Sequence, residues 1–262
     1  MAGERRSIWG MMAGVVLIVI LVLAGWTGWE WMQQVTVQEI RIRGHVNVTE
    51  NEVFELIRTD TGAVLFDVNA AMLEDRVVRH PWIRQADVAR LPSGVLDIVI
   101  TERTPVALLM DGEGRAEWWV DAASWRLSIT DAARYDVPLM FAPQEPWHPM
   151  RPLERESTRE LVAAVATASD RMDALFSEFV FEEGEWTMRL TPAPPHDGIR
   201  VLLGASGFAH NFERLLAFWD QEVLQHQNKI FDVIDLRFDS QIIAQERVRP
   251  GYAPAPTNNN DE

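Results

Sequence analysis

The hydropathy pattern divides the chain sharply. Residues 7–29 form 23 consecutive uncharged positions between Arg6 and Glu30, and ordinary mixed sequence follows. As a helix this run is roughly 35 Å long, enough to cross a hydrocarbon core of about 30 Å with some tilt. A cleaved signal peptide is the competing reading, because Val22 and Ala24 stand at a cleavage spacing. Trp26, Trp29 and Trp31 continue past that point as an aromatic belt, which favours an anchor. Arg5 and Arg6 precede the run and the next basic residue is Arg41, so the positive-inside bias keeps the N-terminus cytoplasmic and exports the rest. The same two arginines form a twin-arginine pair, which any short inner-membrane tail can contain.

Beyond the run, Ile40 and Ile42 alternate with Glu39, Arg41 and Arg43, predicting a half-buried strand that Gly44 ends. Thr49 and Glu52 make a capping box that opens a short helix. A second helix is expected from about Asp67 or Asn69, carrying Ala70, Leu73 and Val77, and stopping before Pro81. Residues 82–91 and 95–103 then read as two strands joined by Pro92, Ser93 and Gly94. The order strand, helix, helix, strand, strand predicts an α+β unit with both helices on one side of a small sheet.

From Pro105 the texture changes to short strand candidates at 118–121, 125–129, 179–182, 186–191 and 199–203. Two helices are expected, at 154–176 and 208–227, with apolar stripes Leu161, Val165, Ala168, Met172 and Phe212, Leu215, Trp219, Val223. A last strand is expected over 231–239, where Ile234, Leu236 and Phe238 alternate with Asp235, Arg237 and Asp239, followed by a run at 242–244. After Arg249 little remains to bury, so a disordered tail is expected over 247–262.

The roughly 230 residues after the apolar run are ample for two cores. A net charge of −15 argues against nucleic acid, which needs a basic surface, and against lying flat on anionic lipid. With no cysteine, neither a disulfide nor a thiolate metal site nor a cysteine nucleophile can form. The six histidines show no ligand spacing, so neither metal nor cofactor is expected. Gly204 to Phe208 approaches a nucleophile elbow but has Phe208 where GxSxG needs glycine. Carboxylate pairs such as Glu182 with Glu183, or Asp170 with Asp173, are of a kind any chain with 39 acids contains. No catalytic constellation emerges, and no small-molecule substrate is indicated.

One anchor followed by this arrangement resembles the FtsQ/DivIB family of bitopic cell-division proteins. The resembling stretches are VQEIRIRGHVNVTENEV at 37–53, LFDVNAAMLEDRVVRHPWIRQADVARLPSGVLDIVITERTPVA at 65–107, VPLMF at 137–141, WTMRL at 186–190, IRVLLG at 199–204 and VIDLRFDS at 233–240. The resemblance implies a cytoplasmic tail at 1–7, a transmembrane helix at 8–29, a POTRA domain at 36–104, and at 105–246 a mostly antiparallel β domain carrying two helices. It implies a non-enzymatic scaffold in the inner membrane at the septum, with the bulk of the chain periplasmic. Its terminal edge strand, placed at Arg237, Phe238, Ser240, Gln241, Ile242 and Ile243, would bind an FtsB and FtsL type pair. An FtsK-type protein is a candidate partner of the POTRA module. Two positions depart from the family pattern, with Gln241 and Ser124 standing where glycine is usual. A membrane-anchored envelope hydrolase and a POTRA-type strand-binding chaperone are the alternative functions.

Overall fold

The computed structural model describes residues 2–130, 133–149, 151–194, 196–226 and 229–247. The expected tail at 247–262 lies outside these from position 248 onward. Arg247 is still tied down, its N–H donating to the Ile230 carbonyl at 2.7 Å.

The chain separates into two compact units, one ending at Arg103 and the other beginning at Thr104. The first opens with helix α1, Ala2–Gln34, 33 residues and so about 50 Å long. It begins well before the apolar run, so residues 2–7 are helical as well. Its apolar stretch from Met12 to Gln34 is long enough to cross a membrane and is not buried against protein.

After α1 come strand β1 (Glu39–Arg43), helix α2 (Glu50–Ile57), helix α3 (Ala70–Val77) and strands β2 (Ile83–Leu91) and β3 (Val95–Glu102). The capping box forms as the sequence predicts: Thr49 Oγ1 accepts from Glu52 N–H while the Glu52 carboxylate accepts from Thr49 N–H at 2.7 Å. Asn69 caps α3 through Met72 N–H at 3.1 Å. The sheet runs β1-β3-β2, parallel between β1 and β3 and antiparallel between β3 and β2. Val53, Ile57, Leu73 and Val77 from the helices are buried, as are Ile42, Leu96, Ile98 and Ile100 from the sheet.

The second unit is built on one nine-stranded sheet. Its strands are β4 (Pro105–Met110), β5 (Ala116–Asp121), β6 (Arg126–Leu127), β7 (Leu139–Phe141), β8 (Phe176–Glu182), β9 (Glu185–Leu190), β10 (Arg200–Gly204), β11 (Phe231–Asp235) and β12 (Ile243–Glu246). They lie in the order β12-β11-β10-β9-β8-β7-β4-β5-β6. Five neighbouring pairs are antiparallel and three parallel, which makes the sheet largely antiparallel. Helices α4 (Glu156–Ala166) and α6 (Phe208–Phe218) contribute Leu161, Val165, Phe212 and Leu215 to a core shared with Phe179, Trp186, Met188, Val201 and Ile234.

The helix expected over 154–176 is shorter and broken. Thr167 Oγ1 donates back to the Ala163 carbonyl at 2.9 Å, and Ser169 caps a new single turn, α5 (Asp170–Asp173), before β8 begins at Phe176. Hydroxyl back-bonding followed by a fresh cap gives the backbone an alternative to continuing the helix. The helix expected over 208–227 ends α-helical geometry at Phe218 and continues as a π turn over Trp219–Val223. Gln227 lies outside the described residues.

Candidate partner-binding edge

The end of the chain differs most from its pattern. A strand over 231–239 was expected, but β11 stops at Asp235, because the Asp235 carboxylate accepts from the Arg237 N–H at 3.1 Å and turns the chain. The chain then reverses, and β12 returns antiparallel to β11 with Asp235 opposite Ile243 and Ile234 opposite Ala244. The alternating residues at 236–239 are therefore a connection, and the edge strand is β12.

Of the sequence-predicted site residues, Arg237, Phe238, Ser240 and Gln241 occupy the exposed turn, Ile242 adjoins β12, and Ile243 is its first residue. Ile242 and Ala244 pack against the core, whereas Ile243 is 48% exposed and Phe238 45% exposed. Phe238 therefore does not pack inward as Leu236 does. Gln241 is not among the residues with positive φ, so the missing glycine costs no backbone strain there. Ser124, by contrast, has φ +64° and is 3% exposed. The glycine expected at that position would suit the left-handed backbone that Ser124 adopts.

Backbone hydrogen bonds show which way β12 faces. Arg247 N–H donates to the Ile230 carbonyl just before β11, and on the opposite side of that strand Leu236 N–H donates to the Leu202 carbonyl of β10 at 3.0 Å. Alternation along an antiparallel pair then directs the peptide groups of Ile243 and Gln245 toward β11. Those of Ala244 and Glu246 face the side on which, among the described residues, the sheet order ends. Such groups can accept one more strand.

Helix α6 fixes the connection. Arg214 donates to the carbonyls of Leu236 at 2.9 Å, Phe238 at 2.7 Å and Gln241 at 2.8 Å, and to Asn211 Oδ1 at 3.1 Å. Asn211 is 6% exposed and donates to the Leu203 carbonyl of β10 at 3.0 Å. Neither residue belongs to the apolar stripe of α6. Their i, i+3 spacing on its polar margin was the available signal.

Arg237 forms a second tie. Its guanidinium meets the Asp235 carboxylate at 2.7 and 2.9 Å and Glu185 of β9 at 3.0 Å. Hydrogen bonding from Arg237 holds the Asp235 carboxyl below its ordinary range, with burial opposing, and the two acids push the Arg237 pKa upward. Arg237 thus pairs with its near neighbour Asp235 and across the sheet with Glu185.

The other candidates do not assemble. Ser206 is exposed in the turn before α6, where the Gly207 N–H donates to Glu160 at 2.7 Å. Glu182, Glu183, Asp170 and Asp173 are exposed. Among the described residues no three His, Asp or Glu side chains converge as metal ligands.

The profile described as POTRA domain, FtsQ-type, matches residues 35–103. The chain is 39% identical over 250 residues to the cell division protein FtsQ of Rhodothermus marinus, covering 95% of this chain and 90% of that one. It belongs to the FtsQ family. FtsQ of Salinibacter ruber is 31% identical over 91% of this chain and 94% of its own, and FtsQ of Koribacter versatilis is 22% identical over 96% and 73%. Membership in the FtsQ family makes this a cell-division protein, and its N-terminal apolar helix fits a membrane anchor.

Proposed function

We propose that the chain is a non-enzymatic scaffold of the division complex that binds an FtsB and FtsL type pair by strand addition at β12. The observation that carries this reading is the open edge itself: Ala244 and Glu246 present peptide groups outward while Ile243 and Phe238 offer exposed apolar side chains beside them. The Arg214 clamp supports it by holding the connection before a partner arrives, which lowers the ordering cost of binding.

In the same reading residues 8–29 span the inner membrane with 1–7 cytoplasmic, and residues 36–104 and 105–246 are the periplasmic POTRA and β domains. The protein works at the septum, and the POTRA domain receives an FtsK-type protein. A fluorescent fusion tests the role: midcell rings, with filamentation on depletion, are expected. Even envelope fluorescence with normal division would contradict it.

A further inference from the structure

The passage from α1 into the POTRA domain contains no free linker. Helix α1 ends at Gln34, and the Val35 carbonyl already accepts from Leu65 N–H at 2.8 Å. Thr36 bridges Val64. Val37 N–H donates to Ala63 and its carbonyl accepts from Gly62, each at 2.8 Å. On the other side Gln38 N–H donates to the Gly94 carbonyl at 2.8 Å, and a Cβ at Gly94 would lie 2.9 Å from the Thr36 carbonyl oxygen. The four residues after the helix are thus stitched to two turns, at 61–64 and 91–94.

Depth along α1 places those turns. The uncharged run ends at Trp29, with Trp26, Trp29 and Trp31 exposed along the helix surface. Gln34 is five residues farther on, about 7.5 Å at the helical rise and so at the outer part of the headgroup layer. The headgroup layer on each side of a bilayer is of similar depth, about 5–7 Å. Both turns are also uncharged, Thr-Gly-Ala-Val and Leu-Pro-Ser-Gly, in a chain with 24% charged residues. Thr61, Gly62, Ala63, Leu91, Pro92 and Ser93 are exposed. They can therefore meet an interface without burying an ion.

We propose that the turns at 61–64 and 91–94 form a membrane-apposed face, held in the headgroup layer of the bilayer that α1 crosses, so that the POTRA domain is oriented by its anchor rather than swinging on it. Residues 36–103 carry 11 acidic side chains against 8 arginines, so anionic lipid gains nothing by attracting the domain and the tether must hold it there. The partner of this face is lipid. The opposite end of the domain, around Val46 at 82% exposure, is left to water and to proteins. This inference rests on reading α1 as a membrane anchor.

The chain has no cysteine, so single labels are unambiguous. The full chain in nanodiscs would carry an environment-sensitive fluorophore at Val22→Cys, Gln33→Cys, Ser93→Cys or Val46→Cys, with nitroxides on lipid headgroups or acyl chains. Ser93→Cys should lose most of its fluorescence to headgroup nitroxide, as Gln33→Cys does, while Val46→Cys keeps most of its own. Ser93→Cys behaving like Val46→Cys, with Val22→Cys quenched by acyl-chain nitroxide, would overturn the proposal and leave the anchor standing. A Val22→Cys label unaffected by acyl-chain nitroxide would remove the anchor and this face together.

Discussion

The Arg214 guanidinium of α6 donates to the Gln241 carbonyl at 2.8 Å, joining a helix to the turn that leads into the edge strand. With its bonds to Leu236 and Phe238 it satisfies three carbonyls that the departure from regular strand leaves open. Hydrogen bonds to charged groups contribute roughly 1.5–3 kcal/mol when buried and less when water competes, so Arg214→Ala should cost about 1–2 kcal/mol. In a unit of this size that lowers Tm by several degrees, about 2–4 °C per kcal/mol. Hydrogen exchange at residues 238–246 should accelerate more than exchange in β8 and β9. Uniform acceleration would count against a local clamp. Arg214→Lys should recover only part of the loss, because an ammonium cannot fork between carbonyls.

Ser124 should be improvable. Its N–H donates to the Asp121 carbonyl at 2.8 Å and its own carbonyl accepts from Leu153 at 2.9 Å, so the positive φ is held by bonds on both sides. A left-handed non-glycine residue costs about 1–2 kcal/mol, offset in part by the greater unfolded freedom of glycine. Ser124→Gly is expected to raise stability by about 0.5–1 kcal/mol in denaturant titration. Ser124→Val should lower it.

Acid should loosen the POTRA domain through Glu102. Burial raises its pKa, but the N–H groups of Val46, Val48 and Asn47 and the Asn47 amide outweigh that and leave it lowered. A carboxyl with a depressed folded pKa stabilises above its unfolded value of about 4.3, and that contribution disappears as pH falls through the folded value. Thermal melts from pH 6 to pH 3 should therefore decline less steeply in Glu102→Gln than in the native chain, though from a lower start. Parallel declines would show that Glu102 is not responsible.

His196 should add a separate acid sensitivity in the β domain. Its ring is 6% exposed, stacked at 13° on Phe231 and tilted against Trp219, and burial lowers its pKa. Well above its unfolded pKa of about 6.5 it is neutral in both states and contributes nothing. Below its unfolded pKa of about 6.5 the unfolded chain binds the proton more readily, so stability falls. His196→Gln should flatten the stability profile between about pH 6.5 and 5.

Legibility in the sequence followed how local the deciding interactions are. The POTRA elements were readable because Thr49, Glu52, Asn69 and Gly94 act within a few residues of themselves. In the β domain β4 and β7 were not singled out as strands: Leu139–Phe141 is too short to show a period and pairs in parallel on both sides. The hairpin after Asp235 was hidden because residues 236–239 keep a strand's alternation, while the Asp235 side chain and Arg214, more than 20 residues away, bend the backbone out of it. The edge expected at Arg237 to Ile243 overlaps β12 only at Ile243, and which peptide groups face outward required the register of β12 on β11.

That register gives the most direct test of strand addition. Proline at Ala244 removes an N–H on the open side, and proline at Gln245 removes one that faces β11. Affinity of the full chain in detergent for a purified FtsB and FtsL type pair should fall at least about tenfold in Ala244→Pro, equivalent to losing roughly 1.4 kcal/mol, with circular dichroism and Tm close to native. Gln245→Pro should instead lower Tm. Native affinity in a folded Ala244→Pro, confirmed with Glu246→Pro, would contradict the account.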